Sequence, residues 1–554
     1  MKILFLTHAF NSLTQRLYVE LETRGHALSV EFDINADVTR EAVAEFAPDL
    51  ILAPYLRRAI PEDVWRATPC FVVHPGPEGD AGPSALDWAI LEGVSDWGVT
   101  VLQAEAAMDS GPVWACERFP MRAATKSSLY RREVTHAAVA ATLTALTRFA
   151  GGTFAPARPA RMTVRPLMRQ ADRAIDWQRD DTATVLRKIR ASDGQPGVLD
   201  SLGGRPVYLY DATAAAPCLR GEPGALLARG NGAVCRATVD GAVWIGHLRA
   251  APDGAEDRPF KLPAEQVLFP AGSPASGARH APPVADAPSP IRYRREGDVG
   301  YLEFAFYNGA LSTHACEQLR VAVAEALRQP TTVLCLMGGE EFWSNGINLN
   351  TIEAGDSPAD ESWRNINAID DVVRTLVQAT HMLTVAVLRG NAGAGGVFLA
   401  LAADRVVARD GVVLNPHYRN MGNLYGSEYW TYLLPRRMPS DAGAHLMQRR
   451  LPIDAAQACA LGLIDQVLPT ADFEAELAAL TTALRADAAA LIAAKARQRA
   501  VDEGARPLED YRRDELERMR LNFYGFDPSY HVARYYFVHK QCPSRTPLYL
   551  ARHR

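Results

Sequence analysis

The chain has 554 residues, too many for one hydrophobic core and enough for about three domains. Its 59 basic and 64 acidic residues give a formal net charge of -5, which excludes a nucleic-acid footprint; the pairs Arg436-Arg437 and Arg449-Arg450 read as solvated faces or phosphate contacts. Eight scattered cysteines with no C-x-x-C pair exclude a zinc site or redox dithiol and suit a reducing cytoplasm, and with no run of about eighteen apolar residues neither a membrane span nor a secretory leader is expected.

Residues 1–160 alternate apolar strands with amphipathic stretches. Strands are expected at 3–6, 26–31, 49–53 and 70–73, and a helix over 13–23 stopped by Gly25. This alternation predicts a mostly parallel sheet with right-handed crossovers and ligands beyond the strand ends, where His74 stands. In 161–270 a helix at 182–190 precedes Gly-broken strands at 207–210, 233–239 and 242–247, which predicts a small β-rich domain. Residues 271–290, rich in Pro, Ala, Gly and Ser, read as an extended linker. The core over 291–470 opens with a hairpin, 291–294 and 299–304. A helix capped by Ser312 runs through Leu327, strands follow at 333–337 and 384–388, and the second strand enters a glycine-rich turn and an apolar helix at 397–403. The Ala- and Arg-rich region 471–554 reads as mostly helical.

Moving a formyl group requires attack on its carbonyl, donors for the oxyanion and a proton for the leaving amine. His74, in Phe71-Val-Val-His74-Pro-Gly, and Asp109, in Met108-Asp109-Ser-Gly, offer an imidazole and a carboxylate. Taken singly, each also has a structural reading, His74 as a strand-end histidine and Asp109 as a turn residue. Asn11-Ser12, at the first strand-to-helix turn, can face a ligand, or the turn is simply a helix start capped by Thr14. In order and spacing, the stretch from His74 through 85–93, Gly98-Val-Thr100 and Met108-Asp109-Ser-Gly resembles the 10-formyltetrahydrofolate transferase and hydrolase family, which includes methionyl-tRNA formyltransferase. That resemblance implies an Asn, His and Asp trio. His74 and Asp109 match it, but Val72 holds the Asn position, so another group or a backbone N–H must supply the oxyanion donor. Asn11, Ser12 and Thr100 are the candidate folate contacts. Ile175-Asp-Trp177, Ile189-Arg190-Ala and Gln195-Pro196-Gly197 extend the resemblance into the second domain, where it gives Trp177 and Arg190 structural roles.

Downstream, Gly390-Asn-Ala-Gly-Ala-Gly-Gly396 follows a strand and precedes a helix. Such a run is either a tight turn or a place where backbone N–H groups approach a ligand. Together with Ser344-Asn-Gly-Ile-Asn-Leu349 it resembles the crotonase (enoyl-CoA hydratase) superfamily. The resemblance implies an oxyanion hole from the N–H groups of Ile347 and Gly395, with Gly346 and Gly396 beside them, gripping an acyl-CoA carbonyl. The two glutamates of hydratases are replaced by Phe398 and His417, so hydration is not expected. Tyr418, Tyr425, Tyr429 and Tyr432 cluster instead. Residues 426–435 read as a helix start with Tyr429 and Tyr432 on one face, facing the thioester or packed in the core.

A formyltransferase half joined to a crotonase half without glutamates resembles the hydrogenase maturation family known as HypX or HoxX, over essentially the whole chain and including Tyr536-Phe-Val-His-Lys and Pro543-Ser-Arg-Thr-Pro. The implied fold is α/β and multidomain: a Rossmann-like formyltransferase domain, a small OB-like domain and a crotonase (ββα spiral) domain with a helical C-terminus. The implied activity is synthesis of carbon monoxide for the [NiFe] hydrogenase iron. Formyl moves from 10-formyltetrahydrofolate to coenzyme A, and formyl-CoA is then decarbonylated. A formyl thioester has no α-carbon, so the hydratase acids would have no task. The candidate acid–base groups are Tyr418, Tyr429, Tyr432 and His417. The implied partners are folate, CoA and hydrogenase maturation proteins, with no metal. Two other classes remain open: a formyltransferase acting on an amine over a degenerate crotonase scaffold, and a non-enzymatic, folate-binding assembly adaptor.

Overall fold

The computed structural model describes residues 1–270 and 287–554; of the expected linker, 271–286 lie outside the described residues. The chain divides into two compact units, one of Met1–Pro288 with Pro543–Arg554 and one of Ser289–Cys542.

The first unit contains strands β1 (Lys2–Thr7), β2 (Ala27–Phe32), β3 (Leu50–Tyr55), β4 (Cys70–His74), β5 (Asp80–Ala81), β6 (Asp96–Gln103), β7 (Val113–Pro120) and β8 (Thr163–Val164). Its main sheet has the order β2-β1-β3-β4-β6-β7. β1 to β4 pair in parallel, and β6 and β7 join antiparallel. Ile3, Leu4, Phe5, Ile51 and Leu52 are buried, as expected of parallel strands covered on both faces. A second, antiparallel sheet is built from β9 (Val198–Leu202), β10 (Arg205–Ala214), β11 (Leu226–Gly230), β12 (Ala233–Ala237) and β13 (Ala242–Ala250), with the short β14 (Leu262–Pro263) beside β13. The helix Thr182–Ser192 packs Val185, Leu186 and Ile189 onto its Val207, Leu209 and Ile245. The region 471–554 is helical through Val538, and its last residues, 543–554, belong to this first unit.

In the second unit a six-stranded sheet runs β15 (Ile291–Glu296), β16 (Val299–Phe304), β17 (Val333–Met337), β19 (Leu383–Leu388), β21 (Arg405–Arg409), β24 (Gln466–Leu468). A smaller sheet runs β18 (Phe342–Ser344), β20 (Asn391–Gly393), β22 (Val413–Asn415), β23 (Ile453–Asp454). Ser312 caps the helix Thr313–Ala326 by accepting the Ala315 N–H, so the expected helix is present. That helix and Pro358–Val377 bury Leu319, Val323, Ile369 and Val373 in one shared hydrophobic core. Four helices follow: Phe473–Ala486, Ala488–Ala505, Leu508–Tyr524 and Ser529–Val538. Among the described residues no single helix is long and apolar enough to cross a membrane.

Candidate functional sites

At the end of β4, His74 is 3% exposed and stands between two carboxylates. Its Nε2 lies 2.9 Å from Asp80 Oδ2, and its Nδ1 lies 3.5 Å from Asp109 Oδ2. The two expected residues are therefore together, with a third that sequence reasoning missed. Asp109 adopts a left-handed φ of 54° and accepts the Gly82 N–H at 3.1 Å. Asp80 reaches His74 because the intervening loop is tied down. Thr100 Oγ1 donates to the Gly76 carbonyl at 2.9 Å, Trp97 Nε1 to the Pro75 carbonyl at 2.9 Å, and the Asp80 N–H to the Pro77 carbonyl at 2.9 Å. β5 pairs with β8, and this clip delivers Arg165, whose Nε donates to Asp80 Oδ1 at 3.0 Å while its Nη1 reaches Glu92 at 2.6 Å. A β-carbon at Gly76 would stand 2.4 Å from Asp80 Oδ2 and 2.5 Å from His74 Nε2, so only glycine allows this approach. Val72 packs against the Ile51 and Ala53 cluster and offers no polar side chain. Asn11 caps the helix Ser12–Thr23 by accepting the Thr14 N–H, so Asn11, not Thr14, is the cap, and Ser12 is the first helical residue.

The two glycine motifs meet in the second unit. β18 pairs with β20, and the chain turns through Ala394, at φ 47°, into the helix Gly395–Leu401. That helix starts two residues before the expected 397. A β-carbon at Gly346 would lie 3.4 Å from the Gly395 nitrogen, and one at Gly396 would lie 2.1 Å from the Ser344 carbonyl oxygen. The N–H groups of Ile347 and Gly395 therefore sit on adjoining turns, and Gly395 is among the first helical donors, which have no partner within the helix.

A carboxylate lies at this point, which corrects the expectation of a site without acids. Phe398 and His417, expected to stand where hydratases carry glutamates, are not acids, but Glu428 arrives from elsewhere in the chain. It is 1% exposed, and a β-carbon at Gly395 would meet its Oε1 at 2.0 Å. Tyr418 donates its hydroxyl to Glu428 Oε2 at 2.7 Å and stacks on Phe398, ring centroids 5.5 Å apart. Burial, and then the neighbouring Asp370 charge, push the Glu428 carboxyl up to about 8. Burial followed by Glu428 holds the Tyr418 phenol well above its ordinary value.

The segment that carries Glu428 is not the expected helix start. The helix begins only at Trp430, as an α-helical turn Trp430–Leu433 continued by a 3-10 turn Leu434–Arg436, and Glu428 and Tyr429 take left-handed φ values of 60° and 58°. Two buried acids hold this turn. Asp370 accepts the Ser427 hydroxyl at 2.8 Å and the Glu428 N–H at 2.8 Å. Glu515 accepts the Tyr429 and Thr431 N–H groups at 2.9 and 2.7 Å. Burial raises both acids, Asp370 to about 6. Tyr429 is fully buried before the helix, so it does not share a helical face with Tyr432. The Tyr432 hydroxyl donates to Asp502 at 2.8 Å, and Tyr425 is partly exposed against Trp430. Neither His417 ring nitrogen has a hydrogen bond among the described residues, and burial lowers its pKa to about 4. Of the four tyrosines, Tyr418 is the one whose hydroxyl is hydrogen-bonded to Glu428 among the described residues.

A family described as enoyl-CoA hydratase/isomerase matches residues 306–538, and one described as formyl transferase, C-terminal domain, matches 167–255. The hydrogenase maturation factor HoxX of Bradyrhizobium diazoefficiens is 57% identical, over 100% of this chain and 97% of that protein. A methionyl-tRNA formyltransferase of Desulfotalea psychrophila is 28% identical over 40% of this chain and 69% of its own. The crystal structure of HypX from Aquifex aeolicus in complex with tetrahydrofolic acid is 47% identical, with a TM-score of 0.95, and covers 100% of this chain and 99% of that one.

Proposed function

This chain belongs to the HoxX/HypX family of hydrogenase maturation factors, and from that premise we propose that it makes carbon monoxide in two steps, as the source of the CO ligand of the [NiFe] hydrogenase iron. In the first step 10-formyltetrahydrofolate is bound beside His74 and Asp109, and the CoA thiol attacks the formyl carbon. The S–C bond forms, the C–N10 bond breaks, and the thiol proton passes through the imidazole to N10. The Aquifex relative's complex with tetrahydrofolic acid supports folate as the donor. In the second step the formyl-CoA carbonyl rests on the Ile347 and Gly395 N–H groups, and Glu428 takes the formyl proton as the C–S bond breaks. The products are CO and a thiolate, which recovers the proton to leave free CoA.

The observation that carries this reading is Glu428, a buried carboxylate lying against Gly395 with the Tyr418 hydroxyl upon it. A thioester with no α-carbon gives hydratase acids nothing to do, but its C–H proton still needs a base. A carboxyl raised to about 8 is a stronger base than an ordinary one once ionised. The test is purified full-length protein with 10-formyltetrahydrofolate and CoA. The expected result is tetrahydrofolate release together with CO captured by a haem protein. Tetrahydrofolate release without CO would overturn the second step, and no tetrahydrofolate release would overturn the first.

A further inference from the structure

His74 has two ring nitrogens and faces a carboxylate with each, so the division of labour between them decides what the imidazole can do. The Asp80 contact is the shorter, 2.9 Å against 3.5 Å, and is a hydrogen bond, whereas the Asp109 distance is only an ion-pair approach. Burial separates the two sides as well: the Asp80 side chain is 4% exposed and that of Asp109 is 18% exposed. The Gly76 backbone closes the Nε2 side, with no room there for even a methyl group. The Nε2 side is therefore closed to substrate, and the Nδ1 side is the one that faces the more exposed carboxylate. A carboxylate accepts and cannot donate, so the nearer one fixes the imidazole proton on Nε2.

We propose that Asp80 is a positioning residue of the formyl site: it holds the His74 proton on Nε2 and so presents the Nδ1 lone pair, on the Asp109 side, as the base for the acceptor thiol. This rests on the formyl-transfer reading above. Asp80 is itself oriented. Its Oδ1 accepts from Arg165 Nε at 3.0 Å, and Arg165 is fixed in turn by Glu92 and by the β5–β8 clip. Asp80 thus supplies an orienting carboxylate that the Asn, His and Asp trio does not contain.

Arg165 gives the proposal a sharp consequence. In Asp80→Asn the Arg165 donor keeps the amide oxygen, so the amide NH2 must turn toward Nε2. That donor forces the imidazole proton onto Nδ1 and removes the base. Where a buried carboxylate orients a catalytic histidine, the same replacement costs about 10⁴-fold through the wrong tautomer.

The experiment compares full-length wild type, Asp80→Asn and Asp80→Glu, each labelled with ¹⁵N-histidine, with the His74 signals identified by their loss in His74→Ala. Long-range ¹H–¹⁵N correlation is expected to show Nε2 protonated in the wild type and Nδ1 protonated in Asp80→Asn. Tetrahydrofolate release should fall by about 10³-fold or more in Asp80→Asn, with partial recovery in Asp80→Glu. A folded Asp80→Asn protein with wild-type turnover, or with the proton still on Nε2, overturns the proposal. If that variant does not fold, the wild type alone decides, and a proton found on Nδ1 overturns it. A wild type that holds the Nε2 proton yet transfers no formyl group to CoA sinks the formyl-transfer reading and leaves the Asp80 contact standing.

Discussion

At the scale of single residues, Glu428 and Tyr418 make the strongest claims. If Glu428 is the base, it acts ionised, so CO formation should rise with pH through about 8 while tetrahydrofolate release does not follow that edge. Glu428→Gln keeps the shape and removes the base, and CO yield should fall roughly a hundredfold or more with tetrahydrofolate release intact. Tyr418→Phe removes a donor that favours the ionised carboxylate. The expected loss is about tenfold to a hundredfold, the worth of one hydrogen bond to a charged group, with the pH edge displaced upward. Coupled measurement of both products across pH is the check. A Glu428→Gln enzyme that makes CO normally would send the search for the base to His417, whose ring nitrogens have no hydrogen bond among the described residues.

At the scale of elements, the turn Ser427–Thr431 decides what the second site is, and it is also where sequence reading stopped. Strand ends followed by glycines carry a local signal, so the turns that hold His74 and Gly395 were legible from pattern, while the roles expected of His74, Ile347 and Gly395 came from family resemblance. Glu428 was legible in neither way. Its segment carries the aromatic spacing of a helix, and the left-handed backbone at Glu428 and Tyr429 is imposed by Asp370 and Glu515, 58 and 86 residues away from the groups they bind. Asp80 was missed for a related reason: a loop carboxylate has no periodicity to aim it, and its partner Arg165 is 85 residues on. The turn makes its own prediction. Asp370 raises Glu428 by like charge, so Asp370→Asn should move the pH edge of CO formation downward, and weaker anchoring of Ser427 should lower its plateau. The sign for stability also follows. Asp370 and Glu428 have folded pKa values raised to about 6 and about 8, so between their ordinary values and these the folded form binds more protons than the unfolded one. Their contribution to stability is present at low pH and is lost progressively as pH rises from the ordinary carboxylate range to about 6 for Asp370 and about 8 for Glu428. Melting of the second unit should therefore fall across that window in wild type and fall less in Asp370→Asn. An equal fall in both would exclude Asp370 as a source of the linkage.

At the scale of the whole chain, residues 289–542 interrupt the first unit, which is completed only by 543–554. β2 is the edge strand of the main sheet, and an uncovered edge leaves donors and acceptors unpaired. The returning segment covers it. The Val30 N–H donates to the Leu550 carbonyl at 3.0 Å, and the Phe32 N–H donates to Thr546 Oγ1 at 2.9 Å. It also neutralises a fully buried acid: Glu31 accepts from the Thr546 hydroxyl and lies 3.1 Å from His553 Nε2 and 3.0 Å from an Arg554 guanidinium nitrogen. Removing the partners of a buried charge costs about 3–5 kcal/mol, at the low end where water can enter. At 2–4 °C per kcal/mol, a chain ended after Cys542 should therefore have a first unit that melts roughly 5–10 °C lower. Hydrogen exchange locates the effect: protection of the Val30 and Phe32 amides should drop, while that of β17 and β19 in the second unit stays as it was. Unchanged protection at Val30 and Phe32 would mean that the returning segment is not what holds the β2 edge.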